Sequence, residues 1–277
     1  MGNNCTETAI IATKRMIRAI GILLLFALLT VLTQIGGLVY LISLLLNRTW
    51  KTRFPVKLFL TFATLYLLST FLFVPLLAPV FGREKVEHTA SIRPATYLTV
   101  LLNRNYVRPE LNRLLAQTAN ALEGTPIAIR YLDANFPFLD RFPLAPHLSH
   151  HDGRKIDLSF VYETEAGQIT DRRKSVSGYG IFTGPEQGEP DQPATCREQG
   201  HRWYGSARYL TLGRINRDLH FSEKGTRQLI DALLKNRQLG KLFIEPHLKQ
   251  RLGLTDPRVR YQGCWSVRHD DHLHLQL

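Results

Sequence analysis

Residues 19–46, AIGILLLFALLTVLTQIGGLVYLISLLL, contain no charged side chain. A helix needs about 20 consecutive apolar residues to cross the hydrocarbon core of a bilayer, and this run exceeds that length. A second uncharged run, LFLTFATLYLLSTFLFVPLLAPVF, covers residues 58–81. Together they predict a transmembrane hairpin of two helices, at about 19–46 and 58–81. The first run is also longer than the apolar core of roughly 7–15 residues found in a cleaved secretory signal. Pro75 and Pro79 predict a kinked or frayed exit from the second helix, tolerable near an interface.

Arg48, Lys51, Arg53 and Lys57 crowd the short connection between the runs. Basic residues favour the cytoplasmic side, so the connection is expected inside and both termini outside. The formal charge of +12 follows the same division, because residues 1–57 hold seven Lys/Arg against Glu7 alone. Half of the basicity therefore belongs to the membrane flanks. No Lys/Arg run interleaved with aromatics is present, so a nucleic-acid partner is not expected. Cys196 and Cys264 are the cysteines beyond the hairpin, compatible with one disulfide in an oxidising compartment or with two free thiols.

The division expected is a tail and hairpin over residues 1–87, then one α+β domain over 88–277. Residues 109–122 open on a proline, carry apolar residues at helical spacing and end before Glu123-Gly124, which predicts a helix. PIAIRYL predicts a strand. In RKIDLSFVYE, Ile156, Leu158, Phe160 and Tyr162 alternate with Lys155, Asp157, Ser159 and Val161, the pattern of a half-buried strand. Residues 163–200 read as a long polar excursion bordering a site. Ser222 caps a predicted helix bearing Leu229, Ile230, Leu233 and Leu234 on one face, and KLFIEPHLKQRLGL predicts a short strand and a helix from Pro246.

The histidines are distributed unevenly. HDDHLHLQL closes the chain, and strict alternation over residues 272–277 puts His272 and His274 on one face of a strand, roughly 7 Å apart. PHLSHHDGRKIDL supplies His147, His150, His151 and Asp157. Imidazole and carboxylate suit zinc, whose catalytic sites combine three protein ligands with an open position. His150, Asp157 and His274 would complete such a set. A solvated charge is the expected state of Arg154 and Lys155.

His147, Ser149, His150, Gly153 and Asp157, followed far downstream by His269, His272 and His274, form a pattern that resembles the penicillin-insensitive murein endopeptidases. That family stands within the wider group of lysostaphin-type peptidases, D-alanyl-D-alanine peptidases and the hedgehog signalling domain. The resemblance covers residue 124 to the end. It implies an antiparallel-sheet zinc metallopeptidase domain, with Zn2+ held by His150, Asp157 and His274. His272 would be the general base, and His147, Ser149, His269 and Asp271 would support the ligands or the substrate. Asp270 or Asp271 would orient His272 or His269, a choice the strand pattern leaves open. The implied activity is cleavage of peptidoglycan cross-links or stem peptides at the bacterial inner membrane, with the domain on the extracytoplasmic side. Two alternatives stay open: a non-catalytic zinc-containing binding domain, and a zinc peptidase or amidase with a non-wall substrate.

Overall fold

A computed structural model of the chain describes residues 2–49 and 55–277. Lys51 and Arg53 of the basic connection lie outside the described residues. The chain divides into two compact units, Met1–Leu76 and Leu77–Leu277.

The first unit departs from the expected hairpin at one place. Instead of one helix over 19–46, α1 (Gly2–Thr33) ends at Gln34, whose φ of 65° is left-handed, and α2 (Gly36–Thr49) begins two residues later. The cause is the TQIGG sequence. The Thr33 hydroxyl accepts a hydrogen bond from the Gly36 amide at 2.8 Å and so caps α2. Gly37 lies so close to α1 that a Cβ there would stand 2.6 Å from the Phe26 carbonyl oxygen. Only glycine permits that approach.

Among the described residues, two helices are long and apolar enough to cross a membrane, Ile10–Thr33 and Val56–Phe81, whereas the apolar part of α2, Gly36–Asn47, is too short. Along the second span, α3 (Pro55–Leu68) passes into a π-helical turn, Ser69–Phe73, which ends two residues before Pro75. Proline lacks the amide that would close an α-helical turn, and a π-bulge accommodates the loss. Leu23, Leu24 and Phe59 are each about two-thirds exposed at 65–66%, as side chains facing lipid would be.

The second unit is built on a six-stranded sheet. Its strands are β1 (Ile92–Pro94), β2 (Ile129–Tyr131), β3 (Lys155–Ser159), β4 (Lys241–Phe243), β5 (Val259–Arg260) and β6 (His272–Gln276). They lie in the order β5-β4-β6-β3-β2-β1. The sheet is mixed and not purely antiparallel as expected: β1 runs parallel to β2, and β4 parallel to β5. The reason lies in the connections. Helix α4 (Pro109–Ala121) joins β1 to β2, and a shorter helix, Pro246–Arg251, joins β4 to β5. Such crossovers return the chain in the same direction. The centre is antiparallel, with β6 between β3 and β4.

One face of this centre carries Ile156, Leu158, Leu273 and Leu275, all at 0% exposure. They join one core with Leu111, Leu114 and Leu115 of α4 and with Leu229, Ile230 and Leu233 of a helix at Glu223–Leu234 capped by Ser222. Strand β3 is buried on both faces, not on one. It also stops at Ser159: Tyr162–Glu163 pairs instead with Ile169–Thr170 and His220–Phe221 in a separate small sheet. Lys155 is likewise buried, its ammonium 2.5 Å from Asp152, rather than solvated.

Candidate metal centre

The register between β3 and β6 places His274 opposite Asp157 and His272 opposite Ser159, on the face turned away from the leucine core. His150 arrives from the loop before β3. Asn135 holds that loop, its side-chain oxygen accepting from the Gly153 amide at 3.1 Å and its side-chain nitrogen donating to the Lys155 carbonyl at 2.8 Å. Gly153 has a φ of +78°, and a Cβ there would meet Arg108 at 2.9 Å, so the turn requires glycine.

Three donor atoms converge. His150 Nε2 lies 3.0 Å from His274 Nδ1 and 3.2 Å from Asp157 Oδ1, and His274 Nδ1 lies 2.8 Å from the same oxygen. His150 Nδ1 donates to the Ala134 carbonyl at 2.6 Å, which leaves Nε2 with a lone pair facing inward. Zinc–nitrogen bonds of about 2.0–2.1 Å in a tetrahedron place donors roughly 3.3 Å apart, close to this spacing. His274 Nε2 is buried without a hydrogen-bond partner. A cluster of lone pairs held this close, and buried, fits a cation at its centre.

The other oxygen of Asp157 faces a second group. Asp157 Oδ2 accepts from the Tyr179 hydroxyl at 2.8 Å and pairs with His147, while His272 Nε2 stands 3.8 Å away. His147, Asp157 and His272 thus form a further set able to hold an ion. The His147 ring stacks on His272 with centroids 5.3 Å apart.

His272 is oriented by its neighbour. Its Nδ1 meets Asp271 Oδ1 at 2.5 Å, and the other Asp271 oxygen accepts from the Gly180 amide at 2.6 Å. The choice between the two aspartates is therefore Asp271. Asp270 instead binds Arg268, Nε to Oδ1 at 2.9 Å, and faces His247 at 3.6 Å. With its Nδ1 proton given to Asp271, the free nitrogen of His272 is Nε2, buried and without a hydrogen-bond partner.

His269 is buried beside these rings, 5.0 Å from His272 and 5.6 Å from His274 by centroids. Its amide donates to Glu245 Oε1, which also accepts from the Tyr204 hydroxyl at 2.6 Å. Ser149 stays half-buried on the wall of a cleft of about 760 Å³ that His147, His269 and His274 also line. Of the expected site residues, the structure brings together all but Ser149.

Electrostatics follow from the crowding. Burial opposes ionisation of Asp157, yet His150, His147 and His272 hold its carboxyl well below the usual range. Burial pushes His274 down to about 4 against the pull of Asp157. Burial, with His272 and His274 alongside, holds His269 well below the ordinary imidazole value. Burial also disfavours a charged His272, but the carboxylates of Asp271 and Asp157 outweigh it and raise its pKa to about 9.

Sequence reasoning missed Tyr179, which lies in the long polar segment. The same segment supplies Gly180 to Asp271 and the Thr183 amide to the Asp270 carbonyl at 2.7 Å. The available signal was SGYGIF: Gly178 and Gly180 both have positive φ, and a Cβ on either would lie 2.3 Å from a neighbouring atom. A tyrosine between two such glycines is pressed against a wall.

No protein-family model matches this chain, and no curated protein matches it.

The raised pKa of His272 gives a pH prediction. In the metal-free chain its imidazole is charged at pH 7 and loses its proton near pH 9. A cation on His150, Asp157 and His274 opposes that charge and lowers the midpoint. NMR of histidine-labelled chain, with His272→Gln for assignment, should show a midpoint near 9 that falls with one equivalent of zinc. A midpoint near 6.5 without metal, or none of this movement with it, contradicts the site geometry.

Proposed function

We propose that the chain is a membrane-anchored, zinc-dependent peptidase acting on peptidoglycan cross-links or stem peptides. The observation that carries this reading is the division of labour around Asp157. Two imidazole nitrogens, from His150 and His274, converge on one oxygen of Asp157, while His272, fixed by Asp271, has its Nε2 near the other. The resemblance of the histidine pattern to murein endopeptidases supplies the substrate class.

His150, Asp157 and His274 would hold the metal, which when bound polarises a carbonyl and acidifies water. His272 Nε2 takes the proton of the attacking water and returns it to the leaving amine, while Asp271 stabilises the imidazolium. Tyr179 donates to Asp157 Oδ2 and so fixes the rotation of the carboxylate. His147 and His269 wall the base on either side and limit water around it. The cleft beside His269 and His274 leaves room for an extended peptide.

Digestion of purified murein sacculi by the detergent-solubilised chain should release uncross-linked fragments, read by mass spectrometry, and a chelator should stop it. His272→Ala should keep about one zinc but cleave roughly 10²–10⁴ times more slowly, whereas His274→Ala should lose metal and activity together. Parent cleavage that survives the chelator, or a His272→Ala variant as fast as the parent, contradicts the mechanism. Zinc binding with no cleavage of any murein peptide favours a binding domain.

Orientation belongs to the same proposal. Two spans return the chain to the side on which it began, and Cys196 and Cys264 are joined in a disulfide, a bond that persists in oxidising compartments. We place the Leu77–Leu277 unit outside the cytoplasm of a bacterial cell. A phosphatase reporter that matures only there should be active when fused after Leu277. Activity solely of a cytoplasmic reporter at that position contradicts the placement.

A further inference from the structure

The cleft is unusual in what it exposes. Trp203 is 82% and Trp265 93% exposed, and both line the cleft that His269 and His274 also line. Two indoles left this exposed along one cleft mark an interaction surface.

The segments that carry these side chains are tied together. Cys264, next to Trp265, is bonded to Cys196 of the helix Gln192–Glu198, which leads into the segment bearing Trp203. His201 meets Trp265 edge to face, centroids 4.4 Å apart, and Tyr204 is anchored on the buried Glu245. The disulfide ties the two segments that carry the indoles.

The rest of the wall selects among ligands. Gln199, Gln262, Ser206 and Ser266 offer neutral amides and hydroxyls, Arg202 adds one positive charge, and among the described residues no aspartate or glutamate lines the cleft. Flat apolar faces combined with neutral donors and acceptors match a pyranose ring, which presents C–H groups on its face and hydroxyl or acetamido groups on its rim.

We propose that Trp203 and Trp265 form a glycan subsite that seats an N-acetylated sugar of the substrate strand beside the peptide to be cut. This rests on the peptidoglycan reading and adds that the chain grips the glycan as well as the peptide.

The chain has three tryptophans, Trp50, Trp203 and Trp265. In a Trp50→Phe background, indole fluorescence therefore reports the cleft. Titration of the full chain in detergent with a β-linked N-acetylglucosamine tetramer should give a saturable emission change that persists with a chelator. Trp203→Phe or Trp265→Phe leaves one reporter, and Trp265→Ala should weaken tetramer binding at least tenfold. Both side chains are exposed, and unchanged circular dichroism and zinc content would establish that the variants fold. Absence of a saturable change, an unweakened Trp265→Ala variant, or a response to a stem peptide but not to the tetramer overturns the subsite. Sugar binding without cleavage of sacculi leaves the subsite standing and removes the peptidase. Cleavage of sacculi without sugar binding does the reverse.

Discussion

The antiparallel pairing of the C-terminal strand with Lys155–Ser159 sets His274 across from Asp157, and the candidate site depends on that single register. A slip of one residue would turn both histidines into the leucine core and bring Leu273 and Leu275 to the polar face. The leucines prevent this, because they are fully buried against the helices at Pro109–Ala121 and Glu223–Leu234. The hydrophobic face of the strand thus positions the chemistry of the other face.

Burying so many polar groups in one place carries a cost that the arrangement itself offsets. Asp157 has no exposed surface, and an isolated carboxylate there would be protonated. Imidazoles and the Tyr179 hydroxyl surround both its oxygens and keep it ionised. The long segment before the disulfide completes the enclosure, with Tyr179 on Asp157, Gly180 on Asp271 and Thr183 on Asp270. A polar stretch that looks featureless in sequence therefore supplies the lid of the cluster.

What could be read in the sequence follows from the range of the forces involved. The terminal strand and the helices at 109–121 and 223–234 were legible because each rests on local spacing, whereas His274 is 117 residues from Asp157 and was grouped with His150 and Asp157 through the resemblance. The break at Gln34 was not, since it needs Gly37 to meet Phe26 across a helix corner. The parallel edges of the sheet, Tyr179 and the Cys196–Cys264 bond depend on contacts between residues far apart in the chain. Asp271 was separated from Asp270 only by the partners each meets, Gly180 for one and Arg268 for the other.

In the proposed site two imidazoles and a carboxylate share one metal ion. X-ray absorption at the zinc edge of the full chain, loaded with one equivalent, tests it directly. Two imidazole ligands are expected, recognisable by their multiple-scattering pattern, with nitrogens at about 2.0–2.1 Å and the remaining ligands oxygen. His150→Ala and His274→Ala should each remove one imidazole or the metal itself. A spectrum with sulfur ligands, with oxygen ligands alone, or with both imidazoles intact in either variant would contradict the assignment.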